Sequence, residues 1–270
     1  RRQQILQRIE RKATVDELCW SARWDRELPI SLVGHDREFI VVARKSHQLC
    51  LRALHIPILP LIALPARAPY AVLHANPKYK IRRWTDDGWR ALAKGLRERG
   101  LGVVVTGGAD TAERDYLDRL WTPVAPPVER VDGRLGWGDL TGLLAGASVF
   151  VGPDTSMTHL AAAAGCPTIG IYGPASPHGM GPWPVGGLER PWARAGSIQH
   201  RGNVWVVQNP LPCMPCDRLG CDNHLESRSE CLDTLSVAQV LRAVDQALGS
   251  QTLTKAQDGA IGSVIPRGSA

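Results

Sequence analysis

One run constrains the fold more than any other: Val151-Gly-Pro-Asp-Thr-Ser-Met-Thr-His-Leu-Ala-Ala-Ala-Ala-Gly-Cys-Pro-Thr-Ile-Gly-Ile-Tyr-Gly-Pro174. The apolar stretch Ala147 to Val151 predicts a short strand. Asp154, Thr155 and Ser156 can each cap the helix that follows, Gly165 suits its left-handed C-terminal residue, and Pro167 stops it. Thr168 to Tyr172 is then the next strand. A helix that opens directly after a strand presents unpaired backbone N–H groups and a positive dipole end, the arrangement with which α/β proteins hold phosphate. Asp154 and His159 place two more polar side chains around that point. The plainer alternative is that Asp154 only caps and His159 only packs.

Strand and helix patterns alternate around this unit. Tyr70 to His74 is strand-like, and Thr85-Asp86-Asp87 opens a helix with Trp89, Leu92 and Leu96 on one face, ended by Gly100. Leu101 to Thr106 predicts a buried strand, Gly107-Gly108 a turn, and Thr111 to Leu120 a second helix. Val128 to Val131 and Trp137 to Ala145 give a further strand and helix, and Val204 to Val207 and Ser236 to Leu248 complete the series. Such alternation predicts an α/β fold, a Rossmann-like doubly wound parallel sheet.

The run from Asp154 closely resembles the signature of the family 9 glycosyltransferases, the heptosyltransferase family of lipopolysaccharide synthesis. That pattern is Asp-Thr/Ser-Gly/Ser-x-x-His-Leu/Ile-Ala-Ala-Ala-x-Gly-x-Pro, then a strand and Gly-x-Thr/Ser-x-Pro. Asp154, Thr155, Ser156, His159, Leu160, Ala161 to Ala163, Gly165, Pro167 and Gly173 fall on it. The resemblance spans roughly residues 68 to 249. It implies a two-domain GT-B arrangement, with a complete C-terminal nucleotide-sugar domain at 69–249 and a partial N-terminal acceptor-side domain at 1–68. Within the latter, Phe39 to Ala43 reads as a strand and Ser46 to Leu54 as a helix.

The loop after the first strand of the nucleotide domain carries Lys78, Lys80, Arg82 and Arg83, where a β-to-α turn faces the crevice of such a sheet. It is a candidate diphosphate clamp, although a charge run is also an ordinary solvated surface. In the family a Lys stands two residues before Trp. Here Arg82 stands before Trp84 with Lys80 close by, and either could make the contact; Arg keeps the charge and adds a planar fork for two phosphate oxygens. Gly108 and Glu113 are further candidates, the glycine lining the crevice and the glutamate reaching the nucleotide ribose. Alternatively they serve only a tight turn and a helix start.

The chemistry implied is transfer of heptose from ADP-heptose to a lipopolysaccharide core or other glycan acceptor, with inversion and no catalytic cofactor. The family's base is an Asp near a Gly-rich first strand, which this sequence does not show, so no catalytic residue is assigned and the chain reads as truncated at its N-terminus. A remnant that binds nucleotide sugar without transfer is the alternative within the same fold.

Cys213, Cys216, Cys221 and Cys231 lie in one window with the pattern Cys-x2-Cys-x4-Cys-x9-Cys. Thiols this dense in a reducing compartment more often hold metal than disulfides. Zinc is the default for tetrahedral thiolate, His224 could replace one ligand, and reduced thiols are the alternative. Related autotransporter heptosyltransferases hold iron in such a segment, so the resemblance keeps structural iron open as well. A third reading makes this segment the working part of a metal-stabilised interaction protein.

Composition narrows the partners. A net charge of +6 favours anions such as nucleotides, phosphorylated glycolipid or an acidic membrane surface, and no nucleic-acid motif accompanies it. The apolar stretch 49–64 is interrupted by Arg52, His55, Pro57 and Pro60, unlike a lipid-spanning helix of about 20 residues. The first twelve residues lack the apolar core of a secretory signal. These features predict a cytoplasmic protein, with peripheral contact at the inner membrane. The Gly-, Ser- and Thr-rich stretch 250–270 is expected to be disordered.

Overall fold

The computed structural model describes residues 30–35, 38–45, 48–55 and 69–261, with side chains described for 69–250. Three strands, β1 (Ile30–His35), β2 (Glu38–Lys45) and β3 (Gln48–His55), form an antiparallel sheet in the order β1-β2-β3. The helix expected over 46–54 is therefore corrected. Residues 48–55 pair along their whole length with β2, Lys45 opposite Gln48 and Glu38 opposite His55. Leu49, Leu51, Arg52 and Leu54 fit a helical stripe as well as a strand, and backbone pairing decides between them.

From Tyr70 onward the chain builds one seven-stranded sheet. Its strands are β4 (Tyr70–His74), β5 (Gly102–Thr106), β6 (Glu129–Arg130), β7 (Val149–Pro153), β8 (Thr168–Ile171), β9 (Ile198–Arg201) and β10 (Val204–Val207). The order is β6-β5-β4-β7-β8-β10-β9, parallel throughout except for β9, which runs antiparallel on the edge beside β10. Counted without that edge strand, the order is the doubly wound 3-2-1-4-5-6, which reverses direction between β4 and β7.

Helices α1 (Asp86–Glu98), α2 (Thr111–Trp121), α3 (Trp137–Ala145), α4 (Ser156–Ala163), α5 (Pro177–Met180), α6 (Glu230–Asp233) and α7 (Val237–Ile261) fill the connections. The strand pleat sends alternate side chains to opposite faces. Ala71 and Leu73 join Trp89, Leu92 and Leu96 of α1 and Val240 and Val244 of α7 in one buried layer. Tyr70 and Val72 join Leu143 and Leu144 of α3 and Met157 and Leu160 of α4 in the other. With both faces covered, the central strands are buried at every position, and Ala71, Val72 and Leu73 wholly so.

Local signals place most boundaries. Thr85 caps α1 by accepting from Gly88 N, Gly100 takes a φ of 77° after it, and Gly165 takes 80° after α4, as a left-handed helix end requires. The expected disorder from residue 250 is corrected over its first part, because α7 continues to Ile261. No proline lies between Pro215 and Pro266, so nothing breaks the backbone ladder of α7 as it runs on past the buried stretch. Edge strand β9 and the short helices α5 and α6 carry too little periodicity to be read from sequence.

Candidate functional site

Strands β4 and β7 are neighbours, yet the connections leaving their carboxyl ends head to opposite sides of the sheet. The crevice opened there is where ligands of doubly wound sheets bind. The chain leaving β4 becomes the basic loop, and the chain leaving β7 becomes Asp154 and α4.

Arg82 bridges the two. Its Nη1 donates to the Asp154 main-chain carbonyl at 2.9 Å and stands 2.9 Å from the Asp154 carboxylate Oδ2. Asp154 is only 4% exposed, so the pair is shielded from water. Lys80, at the start of the short 3-10 turn Lys80–Arg82, points outward and is exposed. Of the two cations considered from sequence, the structure thus brings Arg82 to Asp154 and leaves Lys80 at the rim.

Asp154 is not the helix cap that its position suggests. Thr155 occupies the N-cap position of α4, and no side chain caps this helix. Drawn toward Arg82, the carboxylate leaves the first turn of α4 open to an incoming acceptor. The Thr155 hydroxyl is buried without a protein partner, and Ser156, the first residue of α4, is exposed. A buried hydroxyl with nothing to bond is costly unless something else satisfies it.

His159, one turn into α4, stands with Nε2 3.9 Å from Asp154 Oδ1, and its Nδ1 is buried without a partner. Burial lowers its pKa, Asp154 opposes that and Arg82 adds to it. The ring is accordingly neutral at neutral pH, and serves as a hydrogen-bonding group rather than a cation. Tyr172 lies fully buried against Asp154, its hydroxyl donating to Met180 O at 2.8 Å. Burial, then the Asp154 charge, pushes this phenol far above its ordinary range. The strand pattern gave no hint that Tyr172 would wall the site.

The Gly107–Gly108 turn follows β5, one strand further along. A methyl group at Gly108 would sit 2.7 Å from Glu113 Oε2, so the missing side chain is what lets the glutamate fold over the turn. Asp110 caps α2 by accepting from Glu113 N at 3.2 Å. Glu113 thus faces the glycine turn, and no described contact joins it to Arg82 or Asp154. His74, at the end of β4, is an unanticipated member of this rim. Its Nδ1 meets Thr106 Oγ1 at 3.0 Å, and burial lowers its pKa to about 4.

The four cysteines lie along 213–231, beyond β10. Cys213 and Cys221 are exposed, Cys216 is half-buried and Cys231 buried. Burial, then proximity to Cys216, Cys221 and Cys213, pushes the Cys231 thiol up to about 12. Among the described residues no three His, Cys, Asp or Glu side chains stand in a metal-holding group. Backbone N–H of Glu230 donates to Cys221 Sγ at 3.3 Å. Cys166 is buried, as a small packing residue would be. Trp192 likewise packs, its indole donating to Pro182 O at 3.0 Å. No helix among the described residues is long and apolar enough to cross a membrane.

Comparison with known proteins agrees with this geometry. The family model for glycosyltransferase family 9 (heptosyltransferase) matches residues 45–186. Lipopolysaccharide heptosyltransferase 1 of Pseudomonas aeruginosa is 32% identical over 154 residues, 57% of this chain and 38% of that protein. Lipopolysaccharide heptosyltransferase 3 of Escherichia coli K12 is 26% identical over 122 residues, 45% of this chain and 36% of that protein. Among solved structures, Escherichia coli ADP-heptose lipopolysaccharide heptosyltransferase II superposes with a TM-score of 0.54 at 18% identity, covering 70% of this chain and 49% of that one. The iron-containing dodecameric heptosyltransferase TibC, in complex with ADP-D-beta-D-heptose, gives 0.53 at 18%, covering 74% and 50%. The chain thus spans between about a third and a half of the length of these relatives. The structural likenesses establish the fold, GT-B-type α/β, and the matched segment includes the basic loop, Asp154 and α4. On the family match, the chain belongs to glycosyltransferase family 9, the heptosyltransferases.

Proposed function

We propose that residues 69–261 form the donor half of a heptosyltransferase that moves heptose from ADP-heptose to a lipopolysaccharide core acceptor with inversion, residues 1–68 belonging to the acceptor side. The observation that carries this reading is the Arg82–Asp154 pair at the reversal point of the sheet, beside the uncapped start of α4. The relatives are named as lipopolysaccharide heptosyltransferases, and TibC holds ADP-heptose on this fold.

The leaving diphosphate gains charge as the glycosidic bond breaks. Fixed amides at the start of α4 and the Arg82 guanidinium are aimed where that charge develops, and stabilise it more than the ground state. Neutral His159 adds a hydrogen bond, as does the Thr155 hydroxyl. Glu113, across the glycine turn, takes the ribose hydroxyls. Asp154 holds Arg82 in place and is not the base. The enzyme works on the cytoplasmic side, peripheral to the inner membrane, where its positive charge meets anionic lipid.

The cysteine segment is read as a structural clasp for zinc or iron, held by Cys213, Cys216, Cys221 and Cys231. Its support is the Cys-x2-Cys-x4-Cys-x9-Cys spacing and the iron-containing nature of TibC. Thiolate ligation would supply fixed cross-links to a stretch with little regular structure, and no step of the transfer. Elemental analysis of the purified protein, with a Cys213→Ser, Cys216→Ser pair as control, decides it: no bound metal at stoichiometry sinks the clasp.

Calorimetric titration with ADP, UDP and GDP tests the donor site. The expected result is selective ADP binding that is weakened in Arg82→Gln and in His159→Ala. Absence of binding to all three nucleotides would refute the donor-site reading.

A further inference from the structure

Arg82 reaches Asp154 from a single 3-10 turn, and a turn of three residues does not hold its own orientation. Its internal hydrogen bonds run from Arg82 N to Tyr79 O and from Arg83 N to Lys80 O. The next carbonyl along the turn, on Ile81, accepts instead from Ser229 Oγ at 2.7 Å, across 148 positions of sequence. Ile81 and Ser229 are both buried, Ser229 at 3% exposure, so water does not compete for that carbonyl.

Ser229 is itself held. Its own carbonyl accepts from Leu232 N and Asp233 N at the start of α6, the helix that carries Cys231. Trp84, two residues beyond Arg82, donates its indole N–H to Leu235 O at 3.0 Å from the same segment. Earlier in that segment Asp217 accepts from Ser176 N at 2.8 Å and donates its own N–H to Pro174 O at 2.9 Å. One irregular stretch therefore grips the loops after β4 and after β8, on the two sides of Asp154.

We infer that Ser229 is a positioning residue for the donor site: its hydroxyl fixes the Ile81 carbonyl and thereby sets where the Arg82 guanidinium stands. The inference rests on the crevice being the nucleotide-sugar site. Ser229→Ala leaves the Ile81 carbonyl buried and unpaired, which frees the turn to rotate and takes Arg82 off Asp154.

The test is ADP calorimetry on the full chain and on Ser229→Ala, Ser229→Thr, Arg82→Gln and the Ser229→Ala, Arg82→Gln pair, alongside 15N NMR of the Arg82 guanidinium, assigned by its disappearance in Arg82→Gln. Ser229→Ala is expected to weaken ADP about tenfold, or about 1.4 kcal/mol. Ser229→Thr, which keeps the hydroxyl, restores binding to within about threefold, and in the Arg82→Gln background Ser229→Ala costs less than about twofold, the non-additivity of a shared path. The Arg82 signal shifts or broadens in Ser229→Ala and keeps its native position in Ser229→Thr. Full and independent losses in the double variant, failure of Thr to restore, or an Arg82 signal indifferent to Ser229→Ala would each overturn the inference. A native chain that binds no ADP overturns the crevice reading instead, and the NMR comparison still decides the role of Ser229.

Discussion

The carboxyl edge of the sheet and the cysteine segment hold their polar groups in opposite ways. At the sheet edge, β4 and β7 are locked in register by parallel pairing and by apolar layers on both faces, so His74 and Asp154 are placed by regular structure. Over 211–235 the only regular element is the four-residue α6. There, single contacts such as Ser229 to Ile81 and Asp217 to Ser176 tie the chain to its neighbours. A sheet of this kind supplies the place for a site, but the orientation of a loop residue such as Arg82 depends on irregular chain folded over it from far along the sequence.

The comparison breaks most directly at the Arg82–Asp154 pair. Asp154→Ala strands a part-buried guanidinium, and a loss of about 3–5 kcal/mol in urea unfolding is expected, as for other buried pairs with one partner removed. A loss below about 1 kcal/mol would mean that the pair is solvated and the crevice wetter than its burial indicates.

Next in size is the pH dependence of the sheet edge. His74 has a folded pKa lowered to about 4, chiefly by burial, and His159 is shifted in the same direction. For both, the unfolded chain binds the proton more readily, so their stabilisation is complete above the unfolded value of about 6.5 and is lost as pH falls toward the folded one. For His74 that window runs from about 6.5 to about 4, and the shift corresponds to roughly 3 kcal/mol. Unfolding midpoints between pH 8 and pH 4 should flatten in His74→Gln; an unchanged slope would place the titration elsewhere.

Arg82→Gln should weaken ADP by about 2 kcal/mol, the range of a hydrogen bond to a charged group. Lys80→Gln should change it by under about 0.5 kcal/mol, as for an exposed charge. Equal losses in calorimetry would show that the clamp is diffuse charge, and would remove the sheet edge's claim to a fixed geometry.

The smallest effects sharpen the contrast. Thr155→Val replaces a buried, unpartnered hydroxyl by its apolar isostere, so the free protein should gain up to about 1 kcal/mol while ADP affinity falls. Stability lost together with unchanged affinity would assign that hydroxyl to the fold. In the cysteine segment, residue-by-residue alkylation read by mass spectrometry should label exposed Cys213 and Cys221 before Cys231, whose thiol is pushed up to about 12. Labelling of Cys231 at the same rate would mean that the segment opens freely.

Much of this was legible in the residues. The helix 137–145 and the strands 70–74 and 204–207 match their sequence patterns, because a strand buried on both faces is mostly apolar and a helix packed on one face of such a sheet is amphipathic. The stretch 46–54 reads as helix because leucines at short spacing satisfy both periods, and only the pairing of 48–55 with β2 resolves them. Asp154 was legible as a residue of the crevice but not as an ion-pair partner. Its sequence position is that of a cap, and the competing attraction of Arg82, 72 positions away, is invisible until the loops meet.

The residues alone carry the α/β alternation, the family signature, and Asp154, Thr155, His159 and a cation near Trp84 as the candidate groups around one crevice. These follow from local periodicity, capping chemistry and spacing, which act between residues a few positions apart. Only the tertiary structure decided that Arg82 rather than Lys80 turns inward, that Tyr172 closes the pocket behind Asp154, that His159 is neutral, and that Ser229 reaches back to Ile81. Each of those depends on burial and on bonds across many tens of residues, and both exist only once the sheet has brought the carboxyl ends of its strands to one edge.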